Sequence, residues 1–199
     1  VRLLVEAGKG LRKRTLLKIL DLFAKSYVPE VSVRFAESNL RWASGQSDLE
    51  KRIIYVSTRQ ELLPDAIGLG MSYAYRIGPK YRSMKLNSTE MYFLTLLHEI
   101  GHFKIKEQIP QIYLRLRYDI FPEGGFDHDR LIELSYIENR LKRKKSEKLS
   151  AWKLRLADFM SWLATGETIS HHMKVENWAI DEFERKRKTI AKLLSEAGF

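Results

Sequence analysis

His98-Glu99-Ile100-Gly101-His102 sets two imidazoles four residues apart with a carboxylate next to the first. On a helix, residues at that separation lie one above the other on one face, so both rings can converge on a single ion. Glu99, one position along, is rotated off that line and can reach a water beside the ion without displacing it. The chemistry this spacing predicts is attack of water on a carbonyl. Zn2+ lowers the pKa of the water toward ~7, and Glu99 is the general base that takes its proton. Gly101 leaves room where the motif helix approaches a neighbour.

A zinc centre that keeps one position open for chemistry needs three protein ligands. The chain has no cysteine, which excludes thiolate ligands, disulfides, iron–sulfur clusters and thiol nucleophiles; any metal must rest on His, Asp and Glu. Position 108 is Gln108, so the extended HExxHxxGxxH pattern with a nearby third His is absent. The preferred third ligand is Glu176. It shares one helical stripe with Ala179, Ile180 and Phe183, and a carboxylate on an apolar stripe is costly unless paired or metal-bound. Glu133, Glu138 and His128 are the alternatives, all nearer to His102 in sequence. His171 and His172, one turn before Glu176, are candidates to polarise a substrate carbonyl or steady an oxyanion, His172 first; a surface His pair is the plainer reading.

These groups need elements to position them. Leu16, Leu17, Leu20 and Phe23 give residues 11–27 the 3.6-residue period of an amphipathic helix, which Pro29 closes. Val31, Val33 and Phe35 alternate as in a half-buried strand, and residues 52–57 form the strongest strand of the chain. Between them, Leu40 and Trp42 suggest a short strand before a turn at Ser44-Gly45-Gln46, and 71–77 is a weaker strand. From Asn87 onward the period is helical. Asn87 and Glu90 have the form of a capping box for the motif helix, which runs to about Lys106. Further helices are expected at 111–119, 129–147, 149–165 and 172–195, with a break at Thr165-Gly166. A small sheet followed only by helices predicts an α+β fold.

At 199 residues with 44% hydrophobic content, the chain is long enough for one sizeable core. No apolar run nears the ~18 residues of a membrane span, and residues 1–6 lack the uncharged core of a signal peptide, so a soluble, cytoplasmic protein is expected. Glu, Lys and Arg are abundant and Asn and Gln scarce, the bias of heat-adapted proteins. The net charge of +10 favours acidic partners. Its main clusters, Arg140 to Lys145 and Arg185 to Lys188, read first as solvated helix faces, with Glu147, Glu182 and Glu184 as partners, and second as a nucleic-acid surface.

A small sheet, a helix bearing Leu97-His98-Glu99-Ile100-Gly101-His102-Phe103 and a later helix with Glu176 and Ala179 together resemble the gluzincin clan of zinc metallopeptidases. The nearest likeness is to the compact minigluzincins and ImmA/IrrE-type peptidases, whose glutamate helix carries an E-x-x-A element. The resemblance implies a zincin-like domain over 1–199, with sheet and motif helix at about 28–107, a helical insertion at about 111–165 and the glutamate helix at about 172–195. It implies zinc on His98, His102 and Glu176, an extended peptide or protein substrate along an edge strand (taken as Met71 to Ile77), and Asp181 as the acid orienting a motif His. If the basic clusters contact nucleic acid, the chain would be comparable to SprT-like or repressor-cleaving peptidases, which act on DNA-bound substrates; the alternative is a DNA-associated regulatory or binding protein on a zincin scaffold with little or no proteolysis.

Overall fold

A computed structural model describes residues 2–36, 45–58, 83–120 and 134–199. Helix α1 (Arg2–Lys25) starts well before the periodic segment that signalled it and presents Leu16, Leu20 and Phe23 to the core. Three strands follow: β1 (Ser32–Ala36), β2 (Gly45–Asp48) and β3 (Ile53–Ser57). They form a mixed sheet in the order β1-β3-β2, with β1 parallel and β2 antiparallel to β3. The apolar β3 takes the central place and buries Ile54 and Val56 completely. Gly45 and Gln46 lie within β2, paired with Val56 and Tyr55, which corrects the expected turn at 44–46. Leu40, Trp42 and the expected strand at 71–77 lie outside the described residues.

The motif helix α2 (Ser88–Lys104) begins as the sequence predicts. Asn87 Oδ1 accepts from the backbone N–H of Thr89 and Glu90 at 3.0 and 2.8 Å, and Glu90 Oε2 accepts from the Asn87 N–H at 3.0 Å. Arg187, from the last helix, locks this cap: its Nε donates to Glu90 Oε1 at 2.8 Å and its Nη1 to the Met84 carbonyl at 3.1 Å. Burial raises the Glu90 pKa, but the Arg187 guanidinium and the Asn87 N–H outweigh it and hold the carboxyl below its ordinary value. Phe93, Leu94, Leu96, Leu97 and Ile100 are buried, so α2 is enclosed by the sheet, α1 and the last helix.

After α2 come α3 (Gln111–Ile120), α4 (Leu134–Arg140), α5 (Leu149–Thr165) and α6 (Ile169–Glu196). The helix expected over 129–147 ends at Arg140, and Lys142 to Lys145 are exposed and lie outside any helix. Leu141 is buried there and its carbonyl accepts from Trp152 Nε1 at 2.6 Å, an interaction that ties the chain to α5 and stops the helix. Tyr113, Leu116, Ile137, Leu141, Phe159 and Trp162 belong to a second apolar cluster made by α3, α4 and α5. The long helix α6 packs into the apolar cluster around the sheet, α1 and α2 through Ile169, Ala179, Ile180, Phe183 and Ile190, all buried. A small sheet against the motif helix, then a mostly helical remainder, is the α+β arrangement of a zincin.

Candidate metal centre

Two backbone features bring α2 and α6 together. Gly101 sits where they cross: a Cβ at that position would lie 2.7 Å from Val175 Cγ1 and 3.3 Å from the Trp178 ring. Only a residue without a side chain allows this approach, which is the room expected of Gly101. The other feature is the junction between α5 and α6. Gly166 ends α5 in the left-handed region at φ 83°, and Thr168 caps α6, its Oγ1 accepting from the His171 N–H at 3.1 Å. Glu107, just past α2, accepts the Thr168 N–H at 2.6 Å, and Asp158 accepts both the N–H and the hydroxyl of Ser170. The start of α6 is thereby fixed over the C-terminal end of α2.

The result is a cluster of four imidazoles and two carboxylates. His98 and His102 face each other with Nε2 atoms 3.2 Å apart. Two nitrogens bound tetrahedrally to zinc at about 2.0–2.1 Å stand roughly 3.3 Å apart, so the motif pair is already at ligand spacing. His172 adds a third donor: one ligand atom from each of His98, His102 and His172 lies within 4.8 Å of the others. Its ring centroid is 4.7 Å from that of His98 and 5.5 Å from that of His102. His102, His171 and Glu167 form a second set at the same separation. Glu176, only 3% exposed, meets Nδ1 of His98 with its Oε2. Thus Nδ1 of that ring faces a carboxylate while Nε2 faces the other imidazole.

The electrostatics suit a cation. Burial, followed by the neighbouring rings of His172, His102 and His171, holds His98 well below the ordinary histidine value. Burial likewise lowers His102 to about 4, against the opposing pull of Glu167 and with His172 and His171 helping. Both rings are therefore neutral at pH 7 and carry free lone pairs, the state a metal needs. A hydrogen-bonded carboxylate at the far nitrogen of a ligating His fixes its tautomer, as Glu176 is placed to do for His98.

Glu99 lies beneath the sheet rather than among the rings. It is 5% exposed, and Ser47 of β2 hydrogen-bonds to it. Burial raises its pKa to about 8; the Ser47 contact works against this and the charge of Glu167 works with it. β2 is an edge strand among the described residues, and the base stands against it at Gly45 and Ser47.

Of the residues predicted for the site, His98, His102, His172 and Glu176 are brought together, while Glu99 faces β2 through Ser47 and Gly45. Glu138 is exposed on α4 and does not join the converging groups; Glu133 and His128 lie outside the described residues. Asp181 is exposed on α6, which does not suit its expected role of orienting a motif His; the carboxylate that meets His98 is Glu176. Glu167 was missed. It follows the Thr165-Gly166 break, and its only sequence signal is that position, immediately before the Thr168 cap. The basic segments divide. Arg185 pairs with Glu182 and Arg187 with Glu90, both structural, whereas Lys142 to Lys145 stay exposed and Glu147 pairs with Arg155.

Comparison with known protein families, with curated proteins and with solved structures found no match. The assignment therefore rests on this chain alone: a His-Glu-x-x-His helix with a distal His in an α+β fold, consistent with a catalytic site of the zincin type. No helix among the described residues is long and apolar enough to cross a membrane.

Proposed function

We propose that the chain is a zinc-dependent peptidase in which His98, His102 and a group from the start of α6 hold the metal and Glu99 is the general base. The observation that carries this reading is the 3.2 Å separation of the two motif Nε2 atoms, in rings that are largely removed from solvent and whose pKa values burial lowers. When bound, zinc supplies a Lewis acid that polarises the scissile carbonyl and acidifies a water at neutral pH. Glu99 acts in its ionised form, which the charge of a bound zinc would favour over the raised value of the metal-free site, accepting the proton of the attacking water and returning it to the leaving amine. Its place under β2 supports binding of an extended peptide along that strand, by backbone hydrogen bonds that deliver the carbonyl next to the base.

For the third ligand, the convergence of His172 with the motif pair supports an all-imidazole set, with Glu176 holding His98 through Nδ1. A second reading exchanges these roles. The nearly complete burial of the Glu176 carboxylate against the His98 ring favours Glu176 on the metal, as the gluzincin resemblance implies, and His172 polarising the carbonyl. Zinc affinity of His172→Ala and Glu176→Ala, measured by chelator competition, tests the choice. The all-imidazole set predicts the larger loss for His172→Ala; a larger loss for Glu176→Ala supports the exchange. Unchanged affinity in His98→Ala would overturn the metal reading altogether.

A further inference from the structure

Nδ1 of His102 is buried, in a side chain only 6% exposed, and makes no hydrogen bond among the described residues. The Glu167 carboxylate stands beside it, with Oε1 3.3 Å from Nδ1 but not in hydrogen-bonding alignment. The other oxygen of the same carboxylate, Oε2, lies 3.4 Å from Nδ1 of His172. One carboxylate thus reaches the rear nitrogen of two rings that belong to the converging set, one on α2 and one on α6. Its backbone is held on both sides: the Glu167 carbonyl accepts from Ser161 Oγ at 2.9 Å, and the next N–H, of Thr168, goes to Glu107.

We propose that Glu167 is a positioning residue that sets the tautomers of His102 and His172 together. By accepting Nδ1–H from both rings, it leaves their Nε2 lone pairs facing the space in front of His98. Glu176 does the same for His98 from the other side, so two carboxylates govern three imidazoles. The Glu167 side chain is 39% exposed, and a small rotation of its carboxylate would align Oε1 with Nδ1 of His102. Joining α2 to α6 through one side chain also couples the two halves of the site. Displacement of the Gly166–Thr168 segment would release both rings at once.

The inference rests on the metal reading above, and its test is arranged to fail separately. Histidine tautomers are read from one-bond and two-bond 15N–1H correlations in metal-free, 15N-histidine-labelled protein at pH 7.5. The parent is expected to show His102 and His172 in the Nδ1–H form. Glu167→Ala should shift both toward a mixture of tautomers, and Glu167→Gln, which keeps one acceptor oxygen, should leave one ring fixed. Zinc affinity should fall roughly 10–100-fold in Glu167→Ala, the range typical of a lost ligand-orienting partner, without loss of the folded near-ultraviolet signature. Nε2–H tautomers in the parent, or parental tautomers in Glu167→Ala, would overturn the proposal. If the parent binds no zinc, the metal reading falls while the tautomer measurement still decides the role of Glu167.

Discussion

Gly45 on β2 lies so close to Glu99 on α2 that a Cβ at position 45 would sit 2.7 Å from the Glu99 carboxylate and 2.7 Å from Thr95 Cγ2. Real carbon and oxygen atoms do not approach to that distance, so the strand seats itself on the base only because residue 45 has no side chain. The relationship joins the edge of the sheet to the reacting carboxylate directly. Gly45→Ala is expected to push β2 and Glu99 apart by a fraction of an ångström to about one. A displacement of that order at a reacting group costs up to ~100-fold in rate. Peptide hydrolysis should drop while zinc affinity stays at the parental level, since the rings lie elsewhere on α2. Unchanged kcat/KM in Gly45→Ala would show that the strand does not set the position of Glu99.

Gly101 makes the corresponding prediction for stability. A methyl group there meets Val175 Cγ1 at 2.7 Å in the middle of the α2–α6 crossing. Helix propensity alone favours Ala over Gly by about 1 kcal/mol, but overpacking a tight core costs typically 1–3 kcal/mol. We expect the steric term to win, with Gly101→Ala destabilised by up to about 2 kcal/mol on that balance. Denaturant unfolding of the metal-free protein checks it, and Gly101→Ala combined with Val175→Ala should recover part of the loss of fit.

The buried Glu99 carries a pH signature. Its folded pKa is raised from the ordinary carboxylate value of 4.5 to about 8, mainly by burial. A raised folded pKa contributes stability that is fully present below the unfolded pKa and lost as pH rises through the folded one. Between about 4.5 and 8, the metal-free parent should therefore lose stability relative to Glu99→Gln, whose side chain does not ionise. Above about 8 the difference should level off. Paired urea titrations of the metal-free proteins at pH 5 and pH 8.5 measure it; a difference that does not grow with pH would mean that Glu99 is solvated.

How far the sequence reveals all this depends on how local each signal is. His98, Glu99 and His102 are legible because one turn of helix fixes their relation, and the Asn87–Glu90 capping box because it closes within four residues. Glu176 and Ala179 are legible as a stripe, since burial of a carboxylate among apolar neighbours marks the side that faces inward. Glu167 leaves no such trace. Its role comes from contact between a short connection and a helix far back in the chain, and nothing in Thr165-Gly166-Glu167 encodes that distance. β2 is obscure for a related reason. Gly45-Gln46-Ser47-Asp48 has no apolar alternation and a turn-like composition, and it is a strand only because β3 offers it a partner. The Lys-rich run after Arg140 has good helix propensity, yet the tie between Trp152 and the Leu141 carbonyl overrides it.

The central claim is that Glu99 acts on a water at a metal held by His98 and His102, and one paired measurement addresses it most directly. Zinc stoichiometry and cleavage of an unfolded protein substrate are determined for the zinc-loaded parent, Glu99→Gln and His98→Ala. The account predicts about one zinc and hydrolysis in the parent, about one zinc without hydrolysis in Glu99→Gln, and neither in His98→Ala. Hydrolysis at the parental rate in zinc-loaded Glu99→Gln would contradict it.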